Sequence, residues 1–220
     1  MTCGRGSIMT GGGSSQPGDA SACGSIVAPI AGVGAIAYDS RVPDSDTHPA
    51  DAADPVMDRI TMAVVAARSG DTDEPRAALV DLWTEITAGG DALHRCTLAH
   101  HLADLYDDPA RALIWDVRAL DAADALTDDR AQQHHASLRV AGFYPSLHLN
   151  LSDDLRRLAS FDAAADHLAA ARDRVSALPD EDYGRFIRAA IDGVGAAVDR
   201  RSTERRASAP GSGSGSGSAS

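Results

Sequence analysis

The sequence predicts an all-α protein, a row of antiparallel helix hairpins between two unstructured tails. Three observations carry this expectation. Between residues 56 and 201 apolar side chains recur with the period of a helix face, and no alternating strand pattern competes. Asp, Thr, Gly and Pro fall at the breaks in that pattern, where helix caps and restarts are needed. Only 4% of the chain is aromatic although 44% is hydrophobic, so the helices are expected to pack largely through alanine and leucine.

The first helix is expected from Val56 to Ser69, with Ile60, Ala63, Val64 and Ala67 on one face and Gly70 as its C-terminal cap. Thr72 is placed to cap a second helix, whose Leu79, Leu82, Trp83 and Ile86 form an apolar stripe that Gly89-Gly90 ends. Asp91 caps a third, with Leu98, Leu102 and Leu105 facing inward. Asp108-Pro109 restarts the chain, because a proline at the first helical position lacks only an N–H that would have no partner there. The fourth helix is expected to bury Leu113, Val117, Leu120 and Ala123–Ala125, and Thr127 opens the next. From Asp129 to Ala159 the spacing stays helical through Gly142 and Pro145, which predicts a kink or break near Gly142–Tyr144. Phe161 to Leu178 makes a sixth helix. Pro179-Asp180 then restarts a last one with Phe186, Ile187, Ile191, Val194 and Val198 on its apolar side.

Outside this region the pattern fades. Residues 1–55 hold GGGSS at Gly11–Ser15 and an acidic, proline-containing stretch at Asp39–Pro55, and are expected to be disordered. The periodic pattern begins at Met57, so Met57 or Met62 is a candidate natural start. Residues 202–220 read as an arginine-rich and then Gly/Ser-rich flexible tail. The folded part is therefore expected at 56–201. No run reaches bilayer-spanning length, and Pro29 interrupts the apolar segment Ile26–Tyr38 that resembles a secretion signal, so a cytoplasmic location is expected. Three widely spaced cysteines, Cys3, Cys23 and Cys96, form no disulfide framework or zinc ribbon, and Cys96 reads as a small core residue. All 20 basic residues are arginine, against 32 acidic ones, and the net charge of -12 argues against nucleic acid or an anionic membrane as partner.

One internal pattern stands out. His148-x2-Leu151-Ser152-x2-Leu155 is followed by Leu158-Ala159-Ser160-Phe161 and then by Ala164-x3-Leu168-x2-Ala171. Ser152 and Ala164 are the small residues that let two helices approach, Leu155 and Leu168 the large ones that fill the gap, and Phe161 a turn aromatic. This resembles a tetratricopeptide repeat, with His148 for the usual Trp, Ser152 for Gly, and the closing proline late at Pro179. A looser copy joins Leu98-Ala99-x2-Leu102 to Ala112 and Ala119-Leu120, and a weaker one joins Ala63–Gly70 to Ala78–Ile86. Segments such as LHRCTLAHHLADLYDDP and GFYPSLHLNLSDDLRRL are similar to those of actinobacterial tetratricopeptide-type proteins. The resemblance covers residues 56–178 and implies a right-handed α-solenoid, a TPR-like array closed by a polar-faced last helix bearing Arg185, Arg188, Asp192, Asp199 and Arg200. It implies non-enzymatic binding of a protein or peptide in the groove lined by the first helix of each hairpin, and it brings no catalytic residue.

The candidate groove residues are His94, His101, His134, Tyr144, His148, Asn150, Asp154 and Arg157. Asn150 sits where peptide-binding members of the resembled family place an Asn that bonds a ligand's backbone. The carboxylate-gripping variant of that family also needs lysine, which this chain lacks. Seven of the eight histidines lie in the helical region, but the neighbours His100-His101 and His134-His135 diverge by about 100° on a helix and are expected not to chelate one ion from one face. No HExxH element, nucleophile elbow, phosphate loop or dinucleotide fingerprint is present, so neither cofactor nor metal is expected. The competing expectation is a His-lined helical metal-binding protein or metal-dependent enzyme. Arg200-Arg201 and Arg205-Arg206 are expected to be solvated charge beyond the last helix.

Overall fold

A computed structural model of the chain describes residues 54–68 and 72–206. Gly70, the expected first C-cap, and the sequence before 54 and after 206 lie outside them. Among the described residues there are eight α-helices and no strand: α1 (Pro55–Ala67), α2 (Asp73–Ile86), α3 (Ala92–Asp104), α4 (Pro109–Asp124), α5 (Asp128–His134), α6 (Tyr144–Arg157), α7 (Phe161–Asp173) and α8 (Asp182–Asp199). None of these is long and apolar enough to cross a membrane.

The caps explain most of the starts. Asp54, Asp91, Asp108 and Thr127 each accept a hydrogen bond from a backbone N–H of the first turn they precede, satisfying a donor the helix leaves open. Two helices end alike. Ala159 after α6 and Arg201 after α8 adopt the left-handed conformation, φ 63° and 50°. The next N–H in each case reaches back five residues, Ser160 to Leu155 O at 2.9 Å and Ser202 to Ala197 O at 2.9 Å.

Neighbouring helices pack closely. α3 and α4 form one hairpin, α6 and α7 a second, and α1 and α2 a looser third. α1 and α2 also lie against α3, α4 packs on α6, and α8 closes against both α6 and α7. Where α6 meets α7, Ser152 and Ala164 are fully buried, and the Ser152 hydroxyl donates to Ala164 O at 2.8 Å. Trp83 of α2 and Trp115 of α4 meet edge to face, centroids 5.2 Å apart, with the Arg118 guanidinium 4.3 Å from the Trp115 ring centre. Cys96 is fully buried, as expected of a core residue.

Three expectations need correction. The helical spacing of 129–159 is interrupted at Gly142–Tyr144 as expected, but by a longer break than one kink. α5 ends at His134, His135 is extended (φ -152°, ψ 126°), and α6 begins only at Tyr144, so the break starts upstream of Gly142 and Pro145. The sixth helix stops at Asp173 rather than Leu178, with a short 3-10 turn at Val175–Ala177 after it. On α4, Val117 is 52% exposed whereas Asp116 is 2% exposed. The buried stripe there is Ala112, Asp116, Ala119 and Ala123, because α4 is gripped on both sides, by α3 and by α6, through its small residues.

Candidate functional site

Two helices are buried almost all round. On α3 every residue from Cys96 to Ala103 is buried, and on α6 every residue from Pro145 to Ser152. A helix in that position is usually apolar throughout. Here it carries Thr97, His100 and His101 on α3, and Ser146, His148, Asn150, Asp154 and Arg156 on α6, into the interior. Polar groups placed there need partners, and following those partners defines three separate sites.

The first lies where α3, α4 and α6 meet. Asp104, Asp116, Asn150, Asp153, Asp154 and Arg157 line a cavity of about 30 Å³ together with Ala103, Tyr106 and Ala112. That volume suits a water or one small ion, far below the hundreds of Å³ an organic ligand needs. Asn150 Nδ2 donates to Asp116 Oδ1 at 3.4 Å, and His100 Nδ1 lies 4.0 Å from the same oxygen. The Asp116 and Asp154 carboxyls interact directly across the cavity. Arg157 is the cation at the rim, 3.6 Å from Asp154 Oδ1, while its other nitrogen donates to the Asp107 carbonyl. Two carboxylate oxygens, Asp104 Oδ2 and Asp154 Oδ2, are sealed from solvent and accept no hydrogen bond.

Burial and mutual repulsion dominate the electrostatics of this cavity. Burial first, then the charge of Asp154, pushes Asp104 well above the usual carboxylate range. Asp116 is raised in the same way, with Asp104 adding to the repulsion and Asn150 opposing it. Asp154 is pushed up to about 7 by burial, against the pull of its contact with Asp116 and of Arg157. Behind the cavity, one ligand atom each from His100, His101 and Asp104 lies within 4.8 Å of the others. The adjacent histidines therefore do converge: their rings stand at 61° with centroids 5.3 Å apart, so side-chain rotation offsets the divergence of their helix positions.

The second site joins the N-cap of α1 to α3 and α5. His94 Nε2 lies 2.7 Å from Asp54 Oδ2, and Arg130 Nε donates to Asp91 Oδ2 at 2.6 Å. His134 is held below its ordinary value, chiefly by burial, and feels Asp54, Arg130 and His94. The third site is an aromatic and imidazole cluster. Tyr144 donates to Asp124 Oδ1 at 2.8 Å, its ring stacks 6.2 Å from His148, and His148 Nδ1 faces His167 Nδ1 at 3.0 Å.

The expected groove residues thus do not share one surface. Asn150, Asp154 and Arg157 line the cavity, and His101 lies behind it. His94 and His134 belong to the second site, Tyr144 and His148 to the third. Asn150 is 7% exposed and bonds across helices to Asp116. Sequence reasoning missed Asp104 and Asp116, which read as ordinary surface acids of amphipathic helices. It also missed His167, which stands between Asp166 and Leu168 with no other histidine near it in sequence.

A further contact involves the end of the described chain. The Arg156 guanidinium, fully buried, is held by Asp153 Oδ1, with Nε at 2.8 Å and Nη2 at 2.7 Å. Its remaining nitrogen donates to the backbone carbonyls of Ser202 at 2.9 Å and Glu204 at 2.8 Å. Arg205 pairs with Asp107, Arg206 donates to Ala190 O at 3.3 Å, and Arg201 lies 4.5 Å over the Phe161 ring. A Cβ at Gly193 would meet the Arg206 guanidinium, which would have to shift aside. Residues 202–206, expected to be a solvated tail, are instead laid against the helices. No protein-family model, curated protein or solved structure matches the chain.

Proposed function

We propose that this chain is a non-enzymatic, cytoplasmic binding scaffold, a tetratricopeptide-like right-handed array that grips an extended basic segment of a protein or peptide partner. The succession of hairpins supports the array, as does the α6–α7 pair, where Ser152, Ala164, Leu168 and Phe161 are buried at the positions the repeat pattern requires. One observation carries the choice of ligand: the chain already holds such a segment, its own residues 202–206. Arg156 reads two main-chain carbonyls, which any extended peptide offers, and Asp107 reads a basic side chain. The net charge of -12 favours basic segments at longer range.

A labelled peptide with the sequence of residues 200–206, Arg-Arg-Ser-Thr-Glu-Arg-Arg, tests this by fluorescence anisotropy. It is expected to bind the chain cut after Asp199 and to be excluded from the full chain by the resident segment. Asp107→Asn, which loses one exposed ion pair, is expected to weaken that binding up to about fivefold. Failure to bind the shortened chain, or equal binding to both forms, would count against the reading.

A further inference from the structure

Three carboxyls from three helices meet in a cavity that holds one rim arginine and nothing to satisfy two of their buried oxygens. Imidazole adjoins them: His100 Nδ1 is 4.0 Å from Asp116 Oδ1, and the ligand atoms of His100, His101 and Asp104 fall within 4.8 Å of one another. Two groups bound to one transition-metal ion at bond lengths near 2.1 Å stand at most about 4.3 Å apart. The His100–Asp116 pair already meets that limit, while the His100, His101 and Asp104 atoms, within 4.8 Å of one another, must close to it by side-chain rotation. We propose that His100, Asp104 and Asp116 bind a divalent first-row transition-metal ion at the junction of α3, α4 and α6, with Asp154 or a water completing its shell.

The donor set chooses the class of ion. Imidazole nitrogen mixed with carboxylate oxygen favours zinc, manganese, iron or cobalt over magnesium or calcium, which take oxygen donors. The space suits it, since about 30 Å³ holds one small ion but no organic group. Asn150 has the outer role: its amide donates to Asp116 Oδ1 and fixes the direction of that carboxylate. The ion would tie the α3–α4 hairpin to α6, so its binding free energy adds to the stability of the fold.

The test uses the full chain, prepared without a histidine tag and dialysed against EDTA. Isothermal titration with Zn²⁺ and with Mn²⁺ is expected to show one equivalent of tight binding for at least one of them, with a raised melting temperature that EDTA reverses. Asp116→Asn and His100→Gln are expected to abolish it, and Asn150→Ala to weaken it about 10-fold or more. His135→Gln, a change at an exposed imidazole outside the cavity, is expected to leave it intact. Because changes at such buried positions can unfold the chain, the wild-type protein gives a second readout. Co²⁺ held by imidazole and carboxylate should absorb in the visible far more strongly than the hydrated ion. No binding of Zn²⁺, Mn²⁺ or Co²⁺, binding that survives in folded Asp116→Asn, or loss of binding in His135→Gln would each overturn the assignment.

Discussion

His148 and His167 face each other Nδ1 to Nδ1 at 3.0 Å, so the pair can hold only one proton between those atoms. Burial, then the neighbouring His167, pushes His148 down to about 4, with Arg174 pushing the same way and Asp124 opposing; burial also lowers His167. In the unfolded chain both return to ordinary imidazole behaviour near 6.5. Between these values the unfolded state binds more protons, so the stability this pair allows is fully present above pH 6.5 and is lost as pH falls toward 4. Urea unfolding at pH 7 and pH 5 is expected to show a larger drop for the wild type than for His148→Gln, whose profile should be flatter; parallel profiles would contradict this. At this scale the sequence was partly legible. Asn150, Asp154 and Arg157 lie at i, i+4 and i+7 and could be read as one face of a helix. Asp116 was hidden because α4 buries small residues, so the neighbouring Val117 drew the eye as the larger apolar side chain. The spacing Ala112, Asp116, Ala119, Ala123 was the available signal.

Helix starts divide into those with a side-chain cap and those without. Asp108 Oδ1 accepts from Ala110 N at 2.9 Å, whereas Thr72 and Ser160 make no such bond. Asp108→Ala is therefore expected to cost about 1 kcal/mol, while Thr72→Ala should stay within about 0.5 kcal/mol. Chemical denaturation of the two variants checks the contrast, and equal losses would show that the cap hydrogen bond is not the reason. The restart at Asp108-Pro109 was legible because a capping side chain and a proline coincide there. The end of α5 was not. Ala131 and Leu138 are both buried on either side of the break, so the apolar period runs on while the backbone has already turned extended at His135. Periodicity reports which side chains are buried, and it cannot see a change of backbone between them.

Across the whole molecule the buried residues form two clusters, one from α1 to the start of α6 and one shared by α6, α7 and α8. α6 spans both, with Leu147 in the first and Leu149 in the second. Hydrogen exchange is expected to be slowest in α3 and α6, which are buried all round, and faster in α1, where Met62 and Val65 are 71% and 57% exposed. Uniform protection across all helices would contradict that gradient. The all-helical architecture was legible because a helix period persists over the whole folded stretch. The docking of residues 202–206 was not, since its receiver, Arg156, looks in the sequence like the ordinary i+3 partner of Asp153. The same sealed interior shapes the chemistry of Cys96. Burial, helped by the charge of Asp116, pushes its thiol up to about 12. Since the thiolate is the reactive form, Cys96 is inert toward alkylating and oxidising agents while the helices stay closed. Its sulfur becomes nucleophilic only in molecules whose interior has come apart, which makes it a built-in clock for how often that happens.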